Sequence, residues 1–302
     1  MLAAFLPSLY KKGMLKIWLS VLLAFLFATA PSASASGEDG HPSPGRKLQW
    51  TLLENGLEMA LISAGVDGST IGIPSFAAIR VLRISPFFFD FHIYSSSWEG
   101  HDPLTLEEWA AKNDLCAVIN AGMFQKDGKT ATGYMRSGKN INNPRIASRY
   151  GSFFVCEPLF PGIPSAAIID KRREDWQDVL PRYGAVVQNF RLMDEAGTML
   201  WPTNGPAHSI SSVAQDADGN ILFMHCRQPL SAHDFVRLIM LYPELHILKS
   251  MYMEGGKEAG LLLRLNGEAK AWLGFNPAGY FFTRQDGPKK IPNVIGVRRR
   301  SP

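Results

Sequence analysis

The feature that most constrains the fold is a long series of short apolar segments separated by turn residues. Asn55-Gly56 and Asn266-Gly267 each lie between two such segments, and this dipeptide favours the tight turn of a β-hairpin. The segments have the length and composition of strands. The predicted strands are 49–53, 57–62, 77–84, 88–94, 115–120, 152–156, 166–169, 185–188, 211–215, 221–226, 261–265, 269–273 and 294–297.

Signals for helices are fewer. Thr105-Leu106-Glu107-Glu108 is a capping box and predicts a helix over 106–112. Ser231-Ala232-His233-Asp234 predicts a second helix to about Leu241, and 173–180 is a third candidate. The second helix has one apolar face, formed by Phe235, Leu238, Ile239 and Tyr242. Many strands with a few scattered helices predict the α+β class, with a mixed, mostly antiparallel sheet and a few packed helices.

The N-terminal segment has the composition of a secretory signal. Lys11, Lys12 and Lys16 precede an apolar run over 17–28. Ala33-Ser34-Ala35 then supplies the small residues of a cleavage site. The alternative is an uncleaved membrane anchor. The apolar run is shorter than the ~20 residues that span a bilayer, which favours the signal peptide.

These patterns predict three segments along the chain. They are a signal peptide over 1–35, a flexible leader rich in Gly, Ser and Pro over 36–48, and one domain over 49–298. Met14 is a second candidate for the start of the protein. The expected location is the periplasm of a bacterium or the exterior of the cell, with no stable membrane span after cleavage.

We predict that the exported protein begins near Ser36, because cleavage follows Ala33-Ser34-Ala35. N-terminal sequencing of exported protein measures this directly. A mature chain that begins at Met1 or Met14 would contradict the prediction.

Charge and cysteine content exclude several classes of protein. The formal net charge is +4, and part of it comes from the signal segment and from Arg298-Arg299-Arg300, so no nucleic-acid partner is indicated. Cys116, Cys156 and Cys226 form no C-x-x-C pair and lie in apolar runs. We therefore predict buried, unpaired cysteines rather than a zinc site or a disulfide scaffold.

Two strand ends carry a polar side chain followed closely by glycine. The strand that ends at Asn120 leads to Gly122, and an apolar run ends at Glu254-Gly255-Gly256. Glycine lets neighbouring groups approach the backbone, and a carboxylate at the end of a buried run is costly unless it binds something. We predict that Asn120 and Glu254 face one pocket, where Gly122, Gly255 and Gly256 contact the substrate. The alternatives are a turn cap for Asn120 and, for the nearby Glu258, a second ligand or a surface acid.

Two further residues are candidates for the site. Arg227 follows the predicted strand 221–226 and precedes the helix at Ser231, where a guanidinium and free backbone N–H groups suit an anion. The alternative is a locally paired surface charge. His233 is a candidate proton carrier, with a solvated first-turn histidine as the alternative. No H-E-x-x-H, P-loop, G-x-S-x-G or G-x-G-x-x-G motif occurs, which disfavours zincins, NTPases, α/β-hydrolases and dinucleotide-binding proteins.

Four blocks occur in order along the chain, at 118–124 ("vNgGfF"), 211–223 (a hairpin with an Asp-rich turn), 251–256 (acid-Gly-Gly) and 291–297 ("vPNaiGV"). In this order they resemble the phosphodiester glycosidase family, whose domains are similar to the enzyme that uncovers mannose 6-phosphate by removing N-acetylglucosamine. They extend the likeness from about Trp50 to Val297. Glu254 stands where the family usually has Asp, and Lys257-Glu258-Ala259 resembles a bacterial branch with an "EGGPEA"-like run.

The resemblance implies a hydrolase that acts on a glycosyl phosphodiester or a related glycoconjugate, so the expected partner is a carbohydrate or sugar phosphate. Glycosidic cleavage needs a carboxyl that transfers a proton, and Glu254 is the candidate, assisted by His233. Asn120 would hold the substrate and Arg227 its phosphate. A divalent metal on Glu254 is possible, although no full ligand set is evident. The competing hypothesis is a non-catalytic glycan-binding module of the periplasm or cell envelope.

Overall fold

Strands dominate the structure, as the sequence predicts. The computed structural model describes residues 48–64, 72–194, 196–275 and 289–300, so the predicted signal peptide and nearly all of the leader lie outside the described residues. The strands are β1 (Thr51–Glu54), β2 (Leu57–Ser63), β3 (Ala78–Ile84), β4 (Phe89–Ser95), β5 (Ala117–Asn120), β6 (Met135–Ser137), β7 (Asn140–Asn143), β8 (Ser152–Pro158), β9 (Ala166–Asp170), β10 (Tyr183–Asn189), β11 (Arg191–Met193), β12 (His208–Asp216), β13 (Ile221–Leu230), β14 (Ile247–Gly255), β15 (Gly260–Leu265), β16 (Glu268–Leu273) and β17 (Asn293–Arg299).

These strands form three sheets. A seven-stranded sheet has the order β1-β2-β3-β13-β12-β14-β11, and two five-stranded sheets have the orders β7-β6-β10-β8-β9 and β16-β15-β5-β17-β4. The pairings among the described strands are antiparallel, as in β12 with β13 and β14. The α+β prediction is confirmed, since the helices are few and short beside these sheets.

The helices are α1 (Ser96–Glu99), α2 (Leu106–Asn113), α3 (Trp176–Val179) and α4 (Ala232–Met240). Both predicted caps are present, because the side chains of Thr105 and Ser231 accept hydrogen bonds from Glu108 N and Asp234 N. The predicted helix over 173–180 is too long. Its first residues form a turn closed on Asp170, and one turn of helix follows before the 3₁₀ segment Leu180–Arg182.

The core has a central cluster and three outer clusters, one of which packs around Phe153 and Trp176 on the sheet that contains β8. Apolar side chains from all three sheets, among them Phe91, Phe154 and Phe223, pack together in the centre. Helix α4 covers the other face of the seven-stranded sheet, and α2 covers the third sheet. Strands β12, β13 and β14 are thus largely buried on both faces, which explains the apolar run at the start of β13, whereas β12 buries several serines.

Two predictions about individual residues are decided by the fold. Cys116, Cys156 and Cys226 are buried and unpaired, as predicted. The strand predicted over 221–226 continues to Leu230, because His208 on β12 pairs with Leu230 and lengthens the hairpin. Arg227 therefore lies inside β13, and the prediction that it lies at a strand end is wrong.

No helix among the described residues is long and apolar enough to cross a membrane.

Candidate active site

Asn120 joins two sheets at the end of β5. Its Oδ1 accepts hydrogen bonds from Ser211 Oγ on β12 (2.8 Å) and from Gly260 N (2.9 Å), and its Nδ2 donates to Glu258 O (3.0 Å). The side chain is fully buried. Both acceptor positions of the amide oxygen are used, so Asn120 fixes the turn that follows β14. Its predicted contact with substrate stays a prediction.

We predict that Asn120→Ala destabilises the protein by about 3 kcal/mol or more. The change removes three hydrogen bonds, two of them buried, and each buried polar group left without its partner costs roughly 1–3 kcal/mol. Urea unfolding measures the effect, with Asn140→Ala at the exposed start of β7 as the matched control. A loss equal to that of the control would show that the three bonds carry no net stability.

Glu254 lies near the end of β14 and is 9% exposed. Its Oε1 accepts a hydrogen bond from Gly255 N at 2.9 Å, and no ion pair to it occurs among the described residues. Burial raises the pKa of Glu254 to about 8, the Gly255 N–H lowers it, and the charge of Glu258 raises it further. The carboxyl therefore holds its proton at neutral pH, as a general acid must.

Asn120 and Glu254 meet through Ser211. Ser211 Oγ, which donates to Asn120 Oδ1, also lies 3.5 Å from Glu254 O, and Ser211 pairs with Glu254 across β12 and β14. The two predicted residues are therefore close, although they belong to different sheets. The buried Ser211 is a link that the sequence analysis missed. Its one signal is the pair Ser211-Ser212 between the apolar residues Ile210 and Val213.

The glycines after Glu254 allow a tight turn. A Cβ on Gly255 would lie 2.0 Å from Tyr252 Oη, so no larger residue fits there without movement. Gly256 has φ +72°, in the left-handed region, and begins the 3₁₀ turn Gly256–Glu258. Gly122, after β5, faces Val187 and Asn189 of β10. Gly122 and Gly255 thus contact groups of the protein, and their contact with substrate stays a prediction.

An open cleft of about 340 Å³ lies beside this turn. Ser209 forms part of its wall, accepting a hydrogen bond from Phe275 N at 2.7 Å and donating to Arg227 O. Lys257 Nζ lies 3.7 Å from Glu258 Oε1, and both side chains are partly exposed. The cleft is lined by Ala207, His208, Ser209, Pro229, Gly256, Lys257, Glu258 and Phe275.

A smaller cavity of about 40 Å³ adjoins the cleft, since His208 lines both. Its wall includes Trp201 and Tyr252, whose rings are 5.4 Å apart. Burial and the nearby Glu254 raise the pKa of Tyr252. Glu254 is therefore electrostatically coupled to one residue of each cavity, Glu258 in the cleft and Tyr252 in the cavity.

The other predicted site residues lie outside the lining of the cleft. Arg227 is exposed, and its Nη1 donates to Leu273 O at 3.3 Å. His233 is in the first turn of α4, with Nδ1 3.7 Å from Asp234 Oδ1. Among the described contacts, none joins His233 to Glu254. Of the predicted residues, Gly256 lines the cleft, whereas Asn120, Gly122, Glu254 and Gly255 are not among its lining residues.

His225 is a second polar residue that the sequence analysis did not select. It is fully buried on β13, opposite Ser211 and Arg80. Burial lowers its pKa to about 3, and the charge of Arg80 lowers it further. His225 is therefore neutral beside the Ser211–Asn120 hydrogen bond. Its signal in the sequence, a histidine within an apolar run, is typical of core histidines as well.

The described residues do not form a metal site. No group of three or more His, Cys, Asp or Glu side chains in this part of the chain is arranged to hold a metal ion. The charge of Glu258 influences Glu254, and Lys257 already pairs with Glu258. The divalent metal considered on Glu254 has no ligand set among these residues.

The fold and the site define an antiparallel α+β protein with a buried acid next to an open cleft. The family model of the phosphodiester glycosidases matches residues 113–298, and the chain belongs to this family. The match includes Asn120, the cleft and the Glu254 turn. A comparison with proteins of curated function found no match.

Two solved structures are similar in fold. The catalytic domain of zebrafish N-acetylglucosamine-1-phosphodiester alpha-N-acetylglucosaminidase, auto-inhibited by its pro-peptide, is 13% identical with a TM-score of 0.57; the match covers 85% of this chain and 89% of that one. A hypothetical protein from Synechocystis is also 13% identical, with a TM-score of 0.53 and coverage of 84% and 64%. At this identity the likeness concerns the fold.

Proposed function

We propose that this protein hydrolyses a glycosyl phosphodiester or a related glycoconjugate at the cleft beside the Glu254 turn. Membership of the phosphodiester glycosidase family supports the class of reaction. The single observation that carries the proposal for this chain is the position of a buried carboxyl, Glu254, two residues before the turn Gly256–Glu258 that lines the cleft. Burial raises the pKa of Glu254 to about 8. Titratable groups in unlike environments are typical of acid–base pairs.

Glu254 is the proposed general acid. With a pKa of about 8 it is protonated at neutral pH, and it can donate its proton to the oxygen of the leaving phosphate. Burial favours the protonated, neutral form of this carboxyl. No cation pairs with it among the described residues, so the charged form is not stabilised by an ion pair. The rate should therefore fall as the pH rises above about 8, where the acid form is lost.

Glu258 is the proposed second carboxyl. Its side chain lines the cleft, where it can orient or deprotonate a water, and Asn120 holds its backbone carbonyl. Enzymes that cleave a glycosidic bond usually use two carboxyl groups, one as an acid and one as a base or nucleophile. Asn120 contacts the backbone of Glu258 and Ser211 contacts that of Glu254, so these two residues help to position the carboxyl pair. Arg227 and His233 have no step in this mechanism.

Export to the periplasm or beyond is part of the proposal. It is supported by the basic, apolar and small-residue pattern before Ser36. The substrates would then be glycoconjugates of the cell envelope or its surroundings.

The test is a panel of sugar-1-phosphodiesters that vary in sugar and in alcohol, assayed with purified protein from residue 36 onward. Release of free sugar and phosphomonoester from any of them would support the hydrolase. Binding without release across the panel would instead favour the glycan-binding module.

A further inference from the structure

Three cationic side chains lie around the end of β16. The guanidinium of Arg80, on β3, lies over the ring of Trp272, 5.0 Å from its centroid, and Lys270 Nζ lies 5.6 Å from the same centroid. Arg227, on β13, donates from Nη1 to the carbonyl of Leu273, the next residue of β16. Arg80 and Arg227 therefore come from two different strands and reach consecutive residues of a third.

No carboxylate balances these charges among the described residues. Arg80, Arg227 and Lys270 form no ion pair in this part of the chain, and the side chain of Arg80 makes no hydrogen bond there. Arg80 is partly buried, and this burial lowers its pKa, while the thiol of Cys226 raises it. A partly desolvated guanidinium beside other cations is costly. An anion that joined the cluster would offset this cost.

A buried histidine lies next to the cluster. His225 pairs with Arg80 across β13 and β3, is fully buried, and has no hydrogen-bond partner for either ring nitrogen among the described residues. Burial and then the charge of Arg80 lower its pKa to about 3; the backbone of Ala259 raises it, and Arg227 lowers it slightly. His225 is therefore neutral, and it adds a polar group to the cluster without adding charge.

The cluster adjoins the cleft. Ser209 forms part of the wall of the cleft, and its Oγ donates to the carbonyl of Arg227. Leu273, which Arg227 contacts, pairs with Gly260 just after the turn Gly256–Glu258. A ligand group held by Arg227 is therefore close enough for the rest of the ligand to extend into the cleft.

We propose that Arg80 and Arg227, with Lys270 beside them, bind an oxyanion group, a phosphate or a carboxylate, of a ligand that extends into the cleft. Guanidinium groups bind such anions through paired N–H donors. The contact with Trp272 holds one face of the Arg80 guanidinium and leaves its N–H edges available. The second cation at Arg227 is thus supplied by β3 and not by a helix N-terminus. The site does not depend on the proposed hydrolysis.

Small anions test the site without any need to know the ligand. Methyl phosphate and acetate carry the two candidate groups, and trimethyl phosphate is an uncharged control of similar shape. The indole N–H resonance of Trp272, identified with Trp272→Phe, reports on the site in NMR titrations at low ionic strength. We expect wild-type protein to bind methyl phosphate or acetate about tenfold or more tightly than trimethyl phosphate, because charged hydrogen bonds form with the anions alone.

Substitutions of the two arginines separate a built site from general attraction to a basic protein. Arg80→Met and Arg227→Met should each weaken anion binding about tenfold, since each removes a charged hydrogen bond. Arg80→Lys keeps the charge but loses the paired donors, so its loss should be smaller, about threefold. Arg182→Met, at the exposed end of the 3₁₀ segment Leu180–Arg182, removes the same charge elsewhere and should leave the affinity unchanged.

Each outcome decides the proposal. Tighter binding of methyl phosphate than of acetate would identify the group as a phosphate, and the reverse order would identify a carboxylate. Equal binding of charged and uncharged probes, absence of binding to wild type, or equal affinities of Arg80→Met and Arg182→Met would overturn the site. Anion binding together with no cleavage of any sugar phosphodiester would count against the proposed hydrolysis and leave the site intact.

Discussion

Replacing Glu254 by Gln should lower turnover of any sugar phosphodiester that the wild type cleaves by about 10²–10⁴-fold, the usual contribution of proton transfer by a positioned group. Glutamine keeps nearly the same volume and can still accept the hydrogen bond from Gly255 N. It removes the proton that the carboxyl holds at neutral pH, so the change isolates the acid function. Steady-state rates with each substrate measure the loss.

The control for this experiment is Glu244→Gln, in the exposed 3₁₀ turn Pro243–Leu245. It removes one carboxylate away from the cleft and should leave the rate unchanged. Circular dichroism of the Glu254→Gln protein should match wild type, because a neutral amide replaces a neutral acid. Equal turnover by wild type and Glu254→Gln would exclude the catalytic role.

The second large effect is a dependence of stability on pH. Glu254 ionises near pH 4.5 in a solvated chain and at a pKa of about 8 in the folded protein. The folded protein thus keeps a proton that the unfolded chain releases between these values. The stability linked to this carboxyl is fully present below pH 4.5 and is lost as the pH rises through 8.

Glu254→Gln has no such titration, so its stability relative to wild type should grow by on the order of 4 kcal/mol between pH 5 and pH 9. In a domain of this size, that corresponds to a relative gain in melting temperature of roughly 10 °C. Thermal melts of both proteins at the two pH values measure it. Glu244→Gln corrects for the loss of one negative charge. A difference that stays constant with pH would mean that the Glu254 carboxyl is not desolvated as the structure indicates.

Much of the fold could be predicted from local patterns. The turns at Asn55-Gly56 and Asn266-Gly267 and the caps at Thr105 and Ser231 are found where the sequence indicates. These features depend on a few neighbouring residues, whose backbone angles and hydrogen bonds are decided within the segment. The third helix was predicted too long, because the side chain and carbonyl of Asp170 close a turn that competes with it.

Some residues of the candidate site could likewise be predicted from local sequence, and others could not. The sequence alone indicated Asn120 and Glu254, because a polar residue that ends an apolar run and is followed closely by glycine can be recognised without a structure. It also indicated the α+β class and the family blocks. It placed Arg227 at the end of a strand, which is wrong, because the end of β13 depends on its pairing with His208 on a distant segment.

Only the tertiary structure decided which residues form the cleft. His208, Pro229, Lys257–Glu258 and Phe275 come from four separate parts of the chain, brought together by the pairing of β12 with β13 and β14. The link from Asn120 to Ser211 crosses from one sheet to another. The raised pKa of Glu254 is likewise a property of burial, which no local pattern specifies. Local sequence determines where strands turn and helices begin, whereas the cleft and its charges result from contacts between segments far apart in the chain.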